Sequence, residues 1–380
     1  MRSARLSICA VLLVAFGCGD SDPSPTAASS ALTVKPGESI QAAVDAAPPG
    51  ATVTVLPGDY TEPSTGTAAV RITKPLKLIA QSNLPSVKVR ILPGAGQKHG
   101  ILVEPANDGD PDIDGLEISG FTVQGFSNMG IWLRHVKNFN IENNESIDNL
   151  ENGIWPTLSA NGQVKKNVAY GSQDSALWVE ASENVRVLDN ELHHSPTGLE
   201  ITVSKEITVQ TNDIHDNTIG IGLYHPATAG LPPLQPISDN GFWHIIDNHV
   251  HDNNEPNTAP EESETSQLPY GGGILLLGVD HVDVQRNRIE NNVFFGIAMI
   301  DYCLAVDGTD FSCSANPPEV HDTSPEFNQF MSNQLANNGT DPPPGPFQSS
   351  AADIIAVGGK NNCASNNTGT TVAVPPLPDC

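Results

Sequence analysis

Gly130-Ile131-Trp132-Leu133, Gly153-Ile154-Trp155 and Ala176-Leu177-Trp178-Val179 are three copies of one short apolar strand, spaced by 23 residues. Gly198-Leu199-Glu200-Ile201 and Gly220-Ile221-Gly222-Leu223 each follow after a further 22. A strand recurring at that period is the mark of a solenoid, in which each repeat buries its apolar side against the next. Apolar residues flank each tryptophan at alternate positions, so if they face inward the indole faces out. Stacked copies would set the indoles roughly 5 Å apart along one outer face.

A second recurrent step is Asn-x-apolar, at Asn190-Glu191-Leu192, Asn212-Asp213-Ile214, Asn248-His249-Val250, Asn287-Arg288-Ile289 and Asn333-Gln334-Leu335. Asparagine tolerates left-handed turn geometry, and stacked side-chain amides can hydrogen-bond from coil to coil. A candidate strand precedes each copy, so one coil holds two or three short strands and no helix. Upstream, Glu38–Ala47 is predicted as an amphipathic helix ended by Pro48-Pro49-Gly50, before the alternating strand Ala51–Val55. Such a helix covers the open end of a solenoid.

The stretch Ser39-Ile40-Gln41-Ala42-Ala43-Val44-Asp45-Ala46-Ala47-Pro48-Pro49-Gly50, with Val53-Thr54-Val55 and Pro57-Gly58-Asp59-Tyr60, resembles the opening of right-handed parallel β-helix proteins of the pectin-lyase-like group. The later Gly-Ile and Asn-x-Ile steps resemble exported β-helix repeat proteins of that group. The resemblance implies an all-β fold, a single-stranded right-handed parallel β-helix with an N-terminal capping helix. It implies no particular chemistry, because one such scaffold carries unrelated functions.

The chain has 380 residues and a net charge of −26, with only 18 Lys and Arg, which argues against nucleic acid and against adhesion to anionic membranes. Arg2 and Arg5 before the apolar run Leu6–Phe16 read as a signal peptide over residues 1–17. Ala15-Phe16-Gly17-Cys18 resembles a bacterial lipoprotein box, so Cys18 is the expected lipidation site and 18–31 a flexible tether, with the β-helix spanning 32–380. The chain is then expected to be exported and held to a membrane by its lipid alone, in the periplasm or at the cell surface. Four further cysteines suggest two disulfides; Cys303–Cys313 and Cys363–Cys380 close the shortest loops, and the other two connectivities stay open.

Breaks in the period place loop insertions near 224–241, 253–271 and 302–325. Loops leaving both edges of one strand ladder would wall a groove on the tryptophan face. There Trp132, Trp155 and Trp178, with Arg134 and Glu180, are the expected carbohydrate-binding residues, since an indole face packs on the C–H surface of a sugar ring. Glu200, which continues the tryptophan row, Tyr224 and His135 are the candidates for proton transfer. Two metal sets stand beside them. His193, His215 and His251 share one offset after the asparagine step, and Asp110, Asp112 and Asp114 have the oxygen spacing that opens a calcium loop, although position twelve of that loop is Phe121. Gln173-Asp174-Ser175 resembles a pectin methylesterase step, but that family's second aspartate motif and its arginine have no counterpart, so those roles are not carried over. The expectation is a protein that binds, and can process, a carbohydrate polymer by lyase or hydrolase chemistry. Two alternatives stay open: a non-catalytic surface or periplasmic protein docking a protein partner, and a metal-handling periplasmic β-helix.

Overall fold

The computed structural model describes residues 32–63, 66–81, 87–224, 241–307, 323–345 and 348–380. The expected signal peptide, Cys18 with its tether, Cys313 and the body of the loop near 224–241 lie outside the described residues, and the loop near 302–325 is described only at its ends. Among the described residues the chain is a right-handed parallel β-helix of three all-parallel sheets with 12, 11 and 10 strands. One coil shows the path. Ile131–Arg134 lies on the tryptophan face, Val136–Glu142 on a wide second face and Glu145–Ile147 on a narrow third, and Ile154–Thr157 returns to the first.

Inward side chains stack by residue type. Ile131, Ile154, Leu177, Leu199, Ile221 and Ile274 occupy successive rungs of one column, each fully buried. At about 1.5–3 kcal/mol for each buried aliphatic side chain, such columns hold the solenoid together.

The corners follow a rule that the sequence pattern only half reveals. At the turn into the narrow face the left-handed residue is the one before the asparagine: Asn143, Lys166, Asp189, Thr211, Asp247 and Arg286 all have φ between 54° and 57°. The asparagine itself turns its amide inward. Nδ2 of Asn144, Asn167, Asn190, Asn212, Asn248, Asn287 and Asn333 each donates to Oδ1 of the next rung, ending at Asn367, over 2.9–3.1 Å. A second ladder runs five residues on, through Asn217, Asn253, Asn292 and Asn338 to Asp353, at 2.9–3.1 Å. Each buried amide bond contributes roughly 1 kcal/mol net, and losing one strands its neighbours.

The capping helix spans Ile40–Ala46, with Ser39 Oγ accepting from the Ala42 amide at 3.0 Å. Buried Glu62 also serves this N-terminus, accepting from the Ile40 amide at 2.7 Å and from Ser39 Oγ at 2.5 Å. The C-terminal end is tied by the disulfide Cys363–Cys380. Cys303 is also disulfide-bonded. The third insertion opens with a helix, Tyr302–Asp307, which the expectation of helix-free coils missed.

Candidate functional site

Trp132, Trp155 and Trp178 share one outward row on adjacent strands, their rings 4.9 Å apart and within 3° of parallel. This stacking corrects the expectation that each indole would lend a face to a sugar. Both faces of Trp155 are covered by its neighbours, and Trp132 meets His99 at 5.2 Å on its far side and the Arg134 guanidinium at 5.3 Å. What the row presents to solvent is a half-buried band of indole edges. Trp178, whose N–H donates to Thr202 Oγ1 at 2.9 Å, faces the strand of Glu200, the next residue in the row.

At that end of the row the outward residues become acidic and buried. Glu200 Oε2 accepts from Ser175 Oγ at 2.6 Å. Glu180, two residues past Trp178 on the same strand, accepts from Thr157 Oγ1 at 3.1 Å. Burial pushes the Glu180 carboxyl up to about 7, against the pull of Thr157 and the nearby Trp155 indole, and the charge of Asp174 adds to the rise. Asp174 is itself raised by burial despite hydrogen bonds from Thr265 and Asn152. Glu151 is raised by burial and then by Asp174, with an opposing hydrogen bond from Asn128 at 2.7 Å. Tyr224 folds back over Gly222, where any Cβ would collide with its hydroxyl, and burial followed by the charge of Glu200 holds that hydroxyl well above its ordinary value.

Sequence reasoning missed Asp174 as a participant, because its partner comes from far along the chain. Thr265 Oγ1, in the second insertion, reaches it at 3.0 Å across 91 residues of sequence. That insertion therefore lies against the tryptophan face. Beyond Tyr224 the outer positions turn apolar, with Leu275, Ala298 and Ile355 forming a separate cluster against which Leu268 and Leu304 pack. Six of the eight buried side-chain polar atoms left without a hydrogen bond among the described residues belong to tryptophan-face strands: His99 Nδ1, Trp132 Nε1, Trp155 Nε1, Glu180 Oε1, Thr197 Oγ1 and Tyr224 OH. Trp155 and Glu180, and likewise Thr197 and Tyr224, lie near enough to act on one another, which leaves His99 Nδ1 and Trp132 Nε1 as the buried polar atoms of this face that a polar partner would satisfy.

The other expected residues sit elsewhere. Arg134 is 3.0 Å from Glu104, which also holds Arg71 at 3.1 Å, so its charge is already matched. His135 occupies a left-handed corner 3.5 Å from Asp112, three strands before Glu200, and does not join Tyr224. The three aspartates do not converge on a calcium position. Asp110 accepts from Asn107, Asp112 pairs with Lys137 at 2.8 Å, and Asp114 accepts from Asn138 at 2.6 Å.

His193, His215 and His251 line the narrow face, stacked at 5.1 Å with rings 8° and 18° from parallel. Parallel stacked imidazoles point their nitrogens sideways, so these three do not converge on one ion. Their Nδ1 atoms meet His194 at 2.6 Å, Asp216 at 2.8 Å and Asp252 at 2.8 Å. Burial, and then His215 and His194, push the His193 imidazole down.

A family model described as "Right handed beta helix region" matches residues 99–231. No curated protein matches the sequence. Among solved structures, the A-module of the mannuronan C-5 epimerase AlgE4 from Azotobacter vinelandii is 11% identical, with TM-score 0.55 over 88% of this chain and 92% of that one. The DFA-IIIase from Arthrobacter chlorophenolicus A6, in complex with GF2, is 16% identical, with TM-score 0.53 over 86% and 78%. The Dettilon tailspike protein is 14% identical, with TM-score 0.56 over 90% of this chain and 60% of its own. At these identities the likeness is one of architecture, and the architecture common to them and to this chain is the right-handed parallel β-helix.

Proposed function

We propose that the tryptophan face binds an uncharged carbohydrate polymer and that Glu180 and Glu200 cleave a glycosidic bond in it. The observation that carries this reading is the burial of Glu180, which raises its carboxyl to about 7, on the strand next to Glu200 at the end of an indole row. Glycoside hydrolysis needs one carboxylic acid that keeps its proton at working pH, to protonate the leaving oxygen, and a second carboxylate as base or nucleophile. Glu180 fits the first role. Glu200, oriented by the Ser175 hydroxyl, fits the second. The Tyr224 hydroxyl, kept protonated, is available to donate to a sugar oxygen.

Charge selects the polymer. Glu151, Asp174, Glu180 and Glu200 crowd the site, while Arg134 and Arg71, farther along the face, share the one carboxylate of Glu104. A uronate chain would add like charge to buried acids, whereas a neutral glycan would not. Carbohydrate chemistry on this fold has precedent in the mannuronan epimerase named above. Glu180 and Tyr224 are buried and Thr265 holds Asp174 nearby, so a sugar reaches the acids only after the residues covering them shift.

The test is product release from neutral glucan, mannan and fructan and from polymannuronate, by the full chain and by Glu180→Gln and Glu200→Gln. Cleavage of a neutral polymer, lowered at least about a hundredfold in each variant, is expected. Conversion of polymannuronate with every neutral polymer untouched, or full activity in either variant, would overturn the reading.

A further inference from the structure

The narrow face carries a site separate from the acids of the tryptophan face. In the strand His249–His251, Val250 is buried and the two histidines point outward on either side of it. Asp213 on the preceding strand is in register with His249, and Glu290 on the following strand with His251. Asp213 Oδ1 lies 3.3 Å from His249 Nδ1 and 3.0 Å from His251 Nε2, so one carboxylate oxygen bridges both imidazoles. One ligand atom from each of the three residues lies within 4.8 Å of the other two.

These distances have a chemical meaning. Tetrahedral coordination with bonds of about 2.0–2.2 Å separates neighbouring ligand atoms by roughly 3.3 Å. Two edges of such a site are therefore in place; the His249 and His251 rings stack at 3.9 Å and 23°, so one imidazole has to swing out of that stack to bring in the third. The remaining ring nitrogens are held as well. His249 Nε2 meets Glu290 Oε1 at 3.1 Å and His251 Nδ1 meets Asp252 Oδ2 at 2.8 Å. A carboxylate on the outer nitrogen of each liganding imidazole is the usual support of a histidine metal site, fixing tautomer and ring plane. His193 and His215 are directed elsewhere, with their Nδ1 atoms on His194 and Asp216.

We propose that Asp213, His249 and His251 bind a divalent first-row transition metal, with zinc as the type case, leaving the fourth position to water. Two imidazoles and one carboxylate suit zinc, nickel or copper far better than calcium or magnesium, which take all-oxygen sets. The chain's net charge of −26 concentrates cations near its surface and helps capture.

Calorimetric titration of the chelator-treated full chain with zinc chloride tests this, with cobalt absorption as a second readout. One zinc per chain and the intense visible bands of four-coordinate cobalt are expected. His249→Ala and Asp213→Asn should each weaken binding at least about tenfold while retaining the wild-type circular dichroism spectrum, and His193→Ala should leave binding unchanged. Absence of binding in the wild type, unchanged affinity in His249→Ala and Asp213→Asn, or loss in His193→Ala would each overturn the assignment.

Discussion

The solenoid carries two aromatic rows built by the same repeat, and they expose opposite chemistry. Indoles on the tryptophan face and imidazoles on the narrow face stack at nearly the same spacing, 4.9 and 5.1 Å, because both inherit the coil repeat. The indoles spend their faces on one another, the Trp178 N–H is taken by Thr202, and the row runs into buried acids whose pKa values burial raises. Among the imidazoles, His193 Nδ1 meets His194, and both nitrogens of His215 and of His251 lie within reach of carboxylates on the same or an adjacent coil. A β-helix row is thus a spacing device, and the residues flanking it decide whether it serves a buried or a solvated site.

The sharpest way to break the contrast is to titrate the acid at the end of the indole row. Because the folded pKa of Glu180 is raised, the native chain keeps a proton that the unfolded chain gives up. Its stabilising contribution is therefore whole below about pH 4.5 and is lost as pH rises through about 7, a fall of roughly 3 kcal/mol. Denaturant unfolding at pH 4.5 and pH 8 should show that fall in the wild type and a smaller one in Glu180→Gln, with Asp174 and Glu151 sustaining the remainder. Next comes Trp155→Ala, which opens a gap between two stacked rings. A loss of about 2 kcal/mol is expected by the same unfolding measurement, less than for a fully buried tryptophan because the indole edge is already wet. The smallest effect belongs to the other row, where His215→Ala should cost under about 1 kcal/mol, since its partners Asp216 and Glu191 are exposed and can turn to water.

The repeat spacing made the fold legible, because glycine, tryptophan and asparagine mark fixed points of each coil. The capping helix was legible from its apolar face and its terminating prolines, whereas its N-cap at Ser39, one residue later than the start the pattern placed, was not. The second asparagine ladder was not, because Asn217, Asn253, Asn292 and Asn338 are followed by Thr218, Asn254, Val293 and Gly339, with no common step to catch the eye. In the candidate sites, Glu180, Glu200 and Tyr224 could be named from position in the row, whereas the burial that makes Glu180 an acid could not. His249 escaped notice because its offset from Asn248 differs from that of the stacked histidines, and only the strand alternation around Val250 brings it beside His251. Asp174 depended on a hydrogen bond across an insertion, a contact that no local pattern encodes.

The disulfide-tied tail has a consequence for how the molecule avoids becoming a fibre. Every coil offers the next one a ready template, and the final wide-face strand, Cys363–Ser365, would offer it to a neighbouring copy. Cys380 folds back to Cys363, and the Ala364 amide is taken by Pro378 at 2.9 Å, so the segment after this strand covers its open edge. At the opposite end of the described coils the helix Ile40–Ala46 packs over the first strands.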